Sequence, residues 1–361
     1  MILTLDAGGT NLVFSAVKDG ELAGKPITAA TPPDDLDLFL KALVSGFNEV
    51  SDQFDEHANA ISFAFPGPAD YESGVIGDLQ NLPAFNGNVA LGPYLEHHFN
   101  IPVFINNDGD MFALGEARAG YLPWINTQLR NAGSQRQYKN LVSVTLGTGF
   151  GAGVVVDGKI LKGDTGTASE AWLFRNKVFS YTNVEDILSI RAVRRMYAEQ
   201  IHMDPAKAPY PDEIYRIATD KEEGSREAAV ETWYRYGEIL GDSLAHINAI
   251  VDGVIVIGGG LSGAYPVFSK SMFDELNGFF NSLSGKRFSR SVQKYYNTEK
   301  EYFFKKFLKP VQGTATIPGS NREVTYLKEK KIPVGLSRLG SSEGISLGCY
   351  YYALEKLSHS L

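Results

Sequence analysis

Apolar and polar positions along this chain follow two alternating periods. A run from Ile2 to Leu5, the segment Asp6-Ala-Gly-Gly-Thr10 and a second run from Leu12 to Val17 read as two strands around a glycine turn. Asp19-Gly20 then turns the chain again. From 33 to 51 the period becomes helical, with Leu36, Phe39, Leu40, Leu43, Val44 and Phe47 on one face. Ala60 to Phe65 predicts a buried strand that ends at Pro66-Gly67-Pro68. A short helix near 90–99 leads to a strand over Ile101–Ile105, which stops at Asn106-Asn107-Asp108, and Met111–Ala119 predicts the next helix. Together these elements make an α/β lobe.

After a polar stretch from Asn126 to Asn140 the opening pattern returns. Leu141–Leu146 is apolar, Gly147-Thr-Gly-Phe-Gly151 is a glycine turn, and Ala152–Val156 is apolar again before Asp157-Gly158. This internal echo predicts two similar lobes with a nucleotide between them. Helical patterns follow near 184–201, 211–220 and 224–249, and Val254–Ile257 then runs into a third glycine turn, Gly258-Gly259-Gly260. Residues 286–331 hold twelve Lys and Arg against four Asp and Glu, and Ser341–Leu357 predicts a final helix. The expected boundaries are 1–120 for an N-terminal lobe, joined by the C-terminal helix at 341–361, and 121–340 for a C-terminal lobe. The basic stretch at about 286–331 is expected as an insertion packed on the second lobe.

Composition narrows the class. A chain of 361 residues, 43% hydrophobic and 21% charged, is too long for one small core and too apolar for disorder. Its one cysteine, Cys349, allows neither an internal disulfide nor a Cys-rich zinc site, and points to a reducing compartment. No apolar run reaches the ~18–20 residues of a membrane span, and the first residues show no basic segment of a signal peptide. The net charge of −8 argues against nucleic acid as the main partner; it combines +8 in the basic stretch with −16 elsewhere. The expectation is a soluble cytoplasmic protein with no membrane partner.

Three places carry candidate chemistry. Asp6 with Gly8, Gly9, Thr10 and Asn11 offers backbone N–H groups and a hydroxyl to a polyanion, and a carboxylate to Mg²⁺. Gly147, Thr148 and Gly149 repeat the arrangement. An ordinary hairpin turn could use the same glycines, but two such turns in equivalent places favour phosphate binding. Neither is a Walker A loop or a dinucleotide fingerprint, since no Gly-Lys-Ser/Thr follows and a strand comes next. Asn107-Asp108 closes a buried strand, where a carboxylate can accept a proton from a substrate hydroxyl while the amide holds the substrate. A helix cap is the competing reading, with Asp110 the better cap by position. His97 and His98 are expected in solvent, and Glu116 either supports the site or forms a surface pair.

These motifs resemble the ROK family of sugar kinases, in the actin/hexokinase/Hsp70 ATPase superfamily, over nearly the whole chain. Asp6-Ala-Gly-Gly-Thr10 and Gly147-Thr-Gly-Phe-Gly151 are similar to its two phosphate motifs, and Val256-Ile-Gly-Gly-Gly260 to its adenosine motif. Phe65-Pro-Gly-Pro68, Asn81-Leu-Pro83 and Asn107-Asp108 are similar to its sugar-site segments. The resemblance implies an α/β fold of two ribonuclease H-like (actin-like ATPase) lobes with a cleft between them. It implies ATP and Mg²⁺, the latter held by Asp6 through water, with Gly258, Gly259 and Gly260 against the adenosine. It also implies a hexose-type sugar on Gly67, Asn81, Asn107, Asp108 and Glu170, Asp108 as general base, and a homodimer. Where the family shows Ala-Gly-Glu-Ile-Gly-His before a Cys-rich zinc segment, this chain has Ala168-Ser169-Glu170-Ala171-Trp172-Leu173 and no cysteine, so no zinc is expected. The implied activity is transfer of the ATP γ-phosphate to a hydroxyl of a hexose or hexosamine. The alternative is a catalytically weak sugar-binding or regulatory relative. With the first phosphate motif beginning at Asp6, no DNA-binding helix-turn-helix and no direct nucleic-acid partner are expected.

Overall fold

The computed structural model describes residues 1–361 except Gly9, Pro33, Pro68, Asp78, Gln80, Asn81, Ser360, Leu361 and the side chain of His359. Gly9 and Asn81, two of the expected site residues, therefore lie outside the described residues. The chain forms two units, Met1–Pro123 with Ala152–Glu170 and Ser337–Leu361, and Trp124–Gly151 with Ala171–Leu336.

The first unit is built on a five-stranded sheet. Strands β1 (Ile2–Ala7), β2 (Asn11–Lys18) and β3 (Glu21–Ala30) run antiparallel, while β4 (Ala60–Ala64) and β5 (Val103–Asn106) continue from β1 in parallel, giving the order β3-β2-β1-β4-β5. β1 and β4 are buried on both faces, which is why they read as unbroken apolar runs without alternation. Helix α1 (Leu36–Ser51) lays Phe39, Leu43 and Phe47 on the sheet, and Phe47 meets Phe14 edge to face with centroids 5.1 Å apart. Strand β3 has no counterpart in the sequence reading. It is an edge strand with Pro26 and no buried residue, so it carries no hydrophobic alternation to detect. Helix α2 (Leu91–Phe99) leaves His97 and His98 exposed, as expected.

Helix α3 (Asp108–Arg118) begins three residues before the predicted Met111. Asn107 is its cap and accepts the Gly109 N–H at 2.8 Å, so the capping role expected of Asp110 falls to Asn107 instead. Residues 109 to 117 of α3 are buried because backbone grips it on two sides. Toward the C-terminal helix Ser341–His359, a Cβ on Gly115 would collide with the Gly344 carbonyl, and one on Gly348 with that of Met111. Toward the segment after the second glycine turn, a Cβ on Gly109 would stand 2.6 Å from the Ala152 carbonyl oxygen. These contacts draw Ala152–Glu170 and the last helix into the first unit. Glu116, fully buried, accepts from the backbone N–H of Tyr121 at 2.7 Å and from the Ser337 hydroxyl. It is thus an internal tie and not a surface pair, and its burial raises its pKa.

In the second unit four parallel strands lie in the order Leu141–Leu146, Val254–Gly258, Lys331–Leu336 and Lys294–Asn297. The helix Arg226–Val251 packs Trp233 and Tyr236 against Phe268 of the helix Tyr265–Leu276. Of the four parallel strands, Lys294–Asn297 lies inside the basic stretch and Lys331–Leu336 begins at its last residue. Tyr295 and Tyr296 are buried, and the ammonium of buried Lys331 donates to the Lys306 and Lys309 carbonyls at 2.7 Å each. The hairpin Gln312–Thr316 with Glu323–Leu327 is nearly all exposed. Asn126–Asn140, read as a polar connector, opens inside a helix, Tyr121–Asn131. The Asn126 amide there bonds both backbone groups of Tyr138, at 2.9 and 2.8 Å. Among the described residues no helix is long and apolar enough to cross a membrane.

The grip on α3 leaves no space for a side chain. Gly348→Ala is expected to cost about 2–4 kcal/mol in a urea titration followed by circular dichroism, since neither backbone can yield without moving its helix. Gly263→Ala, with no atom near its Cβ position, should cost under about 1 kcal/mol. Equal costs for the two variants would contradict the close approach.

Candidate active site

Strand register assembles the first half of the site. Asp6 pairs with Ala64 and Ala64 with Asn106, so the chain leaves β1, β4 and β5 at one end of the sheet, their carboxyl ends. In open α/β sheets that is the end where ligands bind. The Phe65 N–H donates to the Asn106 carbonyl at 2.9 Å and holds the segment before Gly67 beside the Asn107-Asp108 corner.

Asp108 is the first residue of α3 and keeps partial solvent exposure. Burial pushes its pKa above the ordinary carboxylate value of 3.8, the Gly109 N–H at 2.9 Å offsets part of this, and the negative charges of Asp6 and Glu170 add to the rise. No cation pairs with it among the described residues. Asp110, two residues further along and buried, is pushed from 3.8 to about 7, chiefly by burial, with Lys162 opposing and Asp108 and Glu170 reinforcing. Asp6, half-buried, is raised by burial, and its Oδ2 accepts from the Ser342 hydroxyl at 2.9 Å. The structure therefore brings Asp6, Asn107, Asp108 and Glu170 into one electrostatic neighbourhood.

Tyr71 joins them without any warning from the sequence. Its hydroxyl donates to the Phe65 carbonyl at 3.0 Å, it also bonds the Asn107 side chain, and burial raises its pKa. The same hydroxyl fills the space that a Cβ on Gly67 would need. That glycine therefore accommodates Tyr71, where the sequence reading had it make room for substrate. Only an aromatic at the right distance could have betrayed this contact, and Tyr71 lies in a turn with no periodic pattern. The turn after β1 is closed by Gly8 N–H to the Asn11 carbonyl at 3.0 Å and by the Thr31 hydroxyl to the Gly8 carbonyl at 2.8 Å. Thr10 and Asn11 remain exposed there.

The second unit holds the other expected motifs. Gly147 N–H closes the turn on the Gly149 carbonyl at 3.1 Å and leaves Thr148 exposed. Glu185 supports this turn: it accepts the Phe150 N–H at 3.1 Å and would stand 2.6 Å from a Cβ on Gly149. Gly259, at φ +85°, lies against the Leu146 backbone, whereas Gly260 is exposed with open space beside it.

Among the described residues no group of three or more His, Cys, Asp or Glu could hold a metal ion. A single carboxylate suits Mg²⁺, which keeps several waters and is bound through one or two carboxylates and substrate phosphates. Asp6, with one hydroxyl donor and no cationic partner among the described residues, fits that donor set.

A model of the ROK family matches residues 2–294. A glucokinase from Parabacteroides distasonis ATCC 8503 is similar in structure, with a TM-score of 0.85 and 47% identity over 98% of this chain and 97% of that one. N-acetyl-D-glucosamine kinase of Shigella flexneri serotype 5b (strain 8401) is 29% identical over 294 residues, 76% of this chain and 89% of its own length. A ROK family glucokinase from Streptomyces griseus, solved with glucose and AMPPNP, shares the fold at a TM-score of 0.62 and 19% identity, covering 97% of this chain and 98% of that one. The α/β, actin-like fold class expected from the sequence agrees with these likenesses.

Asp110 has a pH signature. Unfolded, it ionises near 3.8; folded, it holds its proton to about 7. Folding stability should therefore fall as pH rises from about 4 to 7 and level off above. Asp110→Asn, which cannot ionise, should be more stable than the parent at pH 8 by on the order of 4 kcal/mol, with the gap closing near pH 4. A variant less stable at pH 8 would mean that attraction to Lys162 outweighs burial.

Proposed function

The chain belongs to the ROK family, and we propose that it is a carbohydrate kinase transferring the γ-phosphate of ATP to a hydroxyl of a hexose or hexosamine, with Asp108 as general base. The family and the named kinases among its relatives support the class of activity. The observation that carries the role of the base is the electrostatic setting of Asp108, a carboxylate with no cationic partner among the described residues, whose proton affinity is raised by burial, Asp6 and Glu170.

A raised pKa makes Asp108 a better acceptor for the hydroxyl proton as the sugar oxygen attacks phosphorus. Asn107 and Glu170 hold neighbouring sugar hydroxyls, and Asn81 contributes from outside the described residues. Tyr71 positions Asn107 through its hydroxyl. The turns at Gly8–Asn11 and Gly147–Gly149 offer backbone N–H groups and the Thr10 and Thr148 hydroxyls to phosphate oxygens, since phosphoryl transfer depends mainly on positioning and charge neutralisation. Gly258–Gly260 lies against the adenosine. Asp6 holds Mg²⁺ through water, and the ion when bound neutralises phosphate charge. A cation there also relieves the repulsion between Asp6 and Asp108.

Asp108→Asn should lower kcat by about 10²–10⁴-fold in a coupled ADP-release assay while the circular dichroism spectrum stays unchanged. The acid limb of the kcat profile should lie above the ordinary carboxylate value, because the folded pKa of the base is raised. Turnover in the variant above a third of the parent's would remove Asp108 from this role. The same assay over glucose, mannose, N-acetylglucosamine and N-acetylmannosamine identifies the acceptor. Sugar binding without ADP release on any of them would favour a regulatory protein.

A further inference from the structure

The second unit contains a cavity of about 1120 Å³, bounded by the helix Tyr265–Leu276, the hairpin Phe279–Asn281 with Arg287–Ser289, the end of the strand Lys294–Asn297 and the helix Glu301–Leu308. That is the size of a small-molecule site. None of Gly258, Gly259 and Gly260 lines it, so it is separate from the adenosine contact proposed above. Its walls combine two features that a folding requirement alone leaves unexplained. Phe279, Tyr302 and Phe303 present exposed rings to it, although rings of this size are normally driven inside. Arg287 and Lys300 also line it, and neither has a carboxylate partner among the described residues. The third cation, Lys270, is tied to Asp274 at 2.6 Å. The Arg287 guanidinium lies 4.1 Å from the Phe279 ring centroid, which holds charge and ring together as one surface.

A buried amide adds a third feature. Asn297 lines the cavity and is only 7% exposed. Its Oδ1 accepts from the Tyr265 hydroxyl at 2.9 Å and from the Glu299 N–H at 3.0 Å, while its Nδ2 has no partner among the described residues. That donor is not enclosed, so it is available to an acceptor in the cavity.

We propose that this cavity binds a phosphate ester of a ring compound. The rings stack on the flat part of the ligand, Arg287 and Lys300 neutralise the phosphate, and Asn297 donates to an oxygen. A neutral sugar would leave two cations unused, and inorganic phosphate would leave the rings unused. A nucleoside monophosphate and a sugar phosphate share the required chemistry.

Calorimetric titration of the full chain with AMP, glucose 6-phosphate and inorganic phosphate, each with glucose and AMPPNP present at saturation, distinguishes the sources. One ester should bind with a Kd below about 1 mM. The double variant Arg287→Glu, Lys300→Glu should weaken it at least tenfold, and Phe279→Ser, which keeps both charges, should weaken it as well. Equal binding by parent and double variant, no binding of either ester, or inorganic phosphate binding as tightly as the ester would each overturn the proposal. Because binding is the readout, failure of the kinase assay leaves this result independent.

Discussion

The first unit depends on the backbone contact between helix α3 and the C-terminal helix. Asp108 is the first residue of α3, so whatever places that helix places the carboxylate. Gly115, Gly344 and Gly348 let the two helices meet without side chains between them, and Gly109 does the same toward Ala152. Contacts of this kind have no slack: a methyl group must displace a whole helix, and displacement would carry Asp108 away from Asp6. The buried Glu116 ties the far end of α3 to Ser337 and Tyr121, so the helix is held at its last turn as well as along its length. Asn107 completes the hold by capping the first turn, which leaves Asp108 free of that duty.

Charge is the second constraint, and it works through Asp110. Asp6 and Glu170 act on Asp108, Asp108 and Glu170 act on Asp110, and Lys162 opposes them at Asp110. Burial lowers the pKa of Lys162 itself, so its help is limited. An Asp110 that ionises near 7 carries a proton for much of the time at neutral pH, and each proton it holds removes one source of repulsion in the cluster. Asp108 is pushed in the same direction by burial, Asp6 and Glu170, and its charge in turn acts on Asp110, so the two carboxylates are coupled. Such a pair titrates jointly, so the profile belongs to the pair and not to either residue alone.

What could be read from the sequence was what local pattern encodes. Both glycine turns, the strand end at Asn107-Asp108 and the final helix are written in consecutive residues. Tyr71, Glu185 and the role of Glu116 are not legible, since each acts on a partner outside its own local pattern, 6 residues away for Tyr71 on Phe65, 35 for Glu185 on Phe150 and 221 for Glu116 on Ser337. The start of α3 was misjudged for a related reason. Asn, Asp and Gly in succession look like the end of a strand, and only the packing around α3 makes the helix begin at Asp108. The basic stretch, expected as an insertion packed on the second lobe, lies in the second unit, but its charge gives no sign that Tyr295, Tyr296 and Lys331 are inside, or that the ammonium of Lys331 is satisfied by carbonyls.

The glycines themselves divide into those the fold explains and those it does not. A Cβ on Gly149 would meet the end of the Glu185 side chain and one on Gly67 the Tyr71 hydroxyl, while Gly259 is required by both its positive φ and the Leu146 backbone. Folding alone accounts for Gly259, so a glycine there is weak evidence of a ligand. Gly147 and Gly260 are different. Neither has an atom within 4 Å of its Cβ position, and neither has a φ that excludes other residues. A residue such as Ala would fit there and would lower the entropy lost on folding. Gly263 shares that open space, so it does not by itself mark a ligand. Gly147 and Gly260 differ from it in standing in the two turns proposed above for phosphate and adenosine, where the space beside the backbone is available to a ligand.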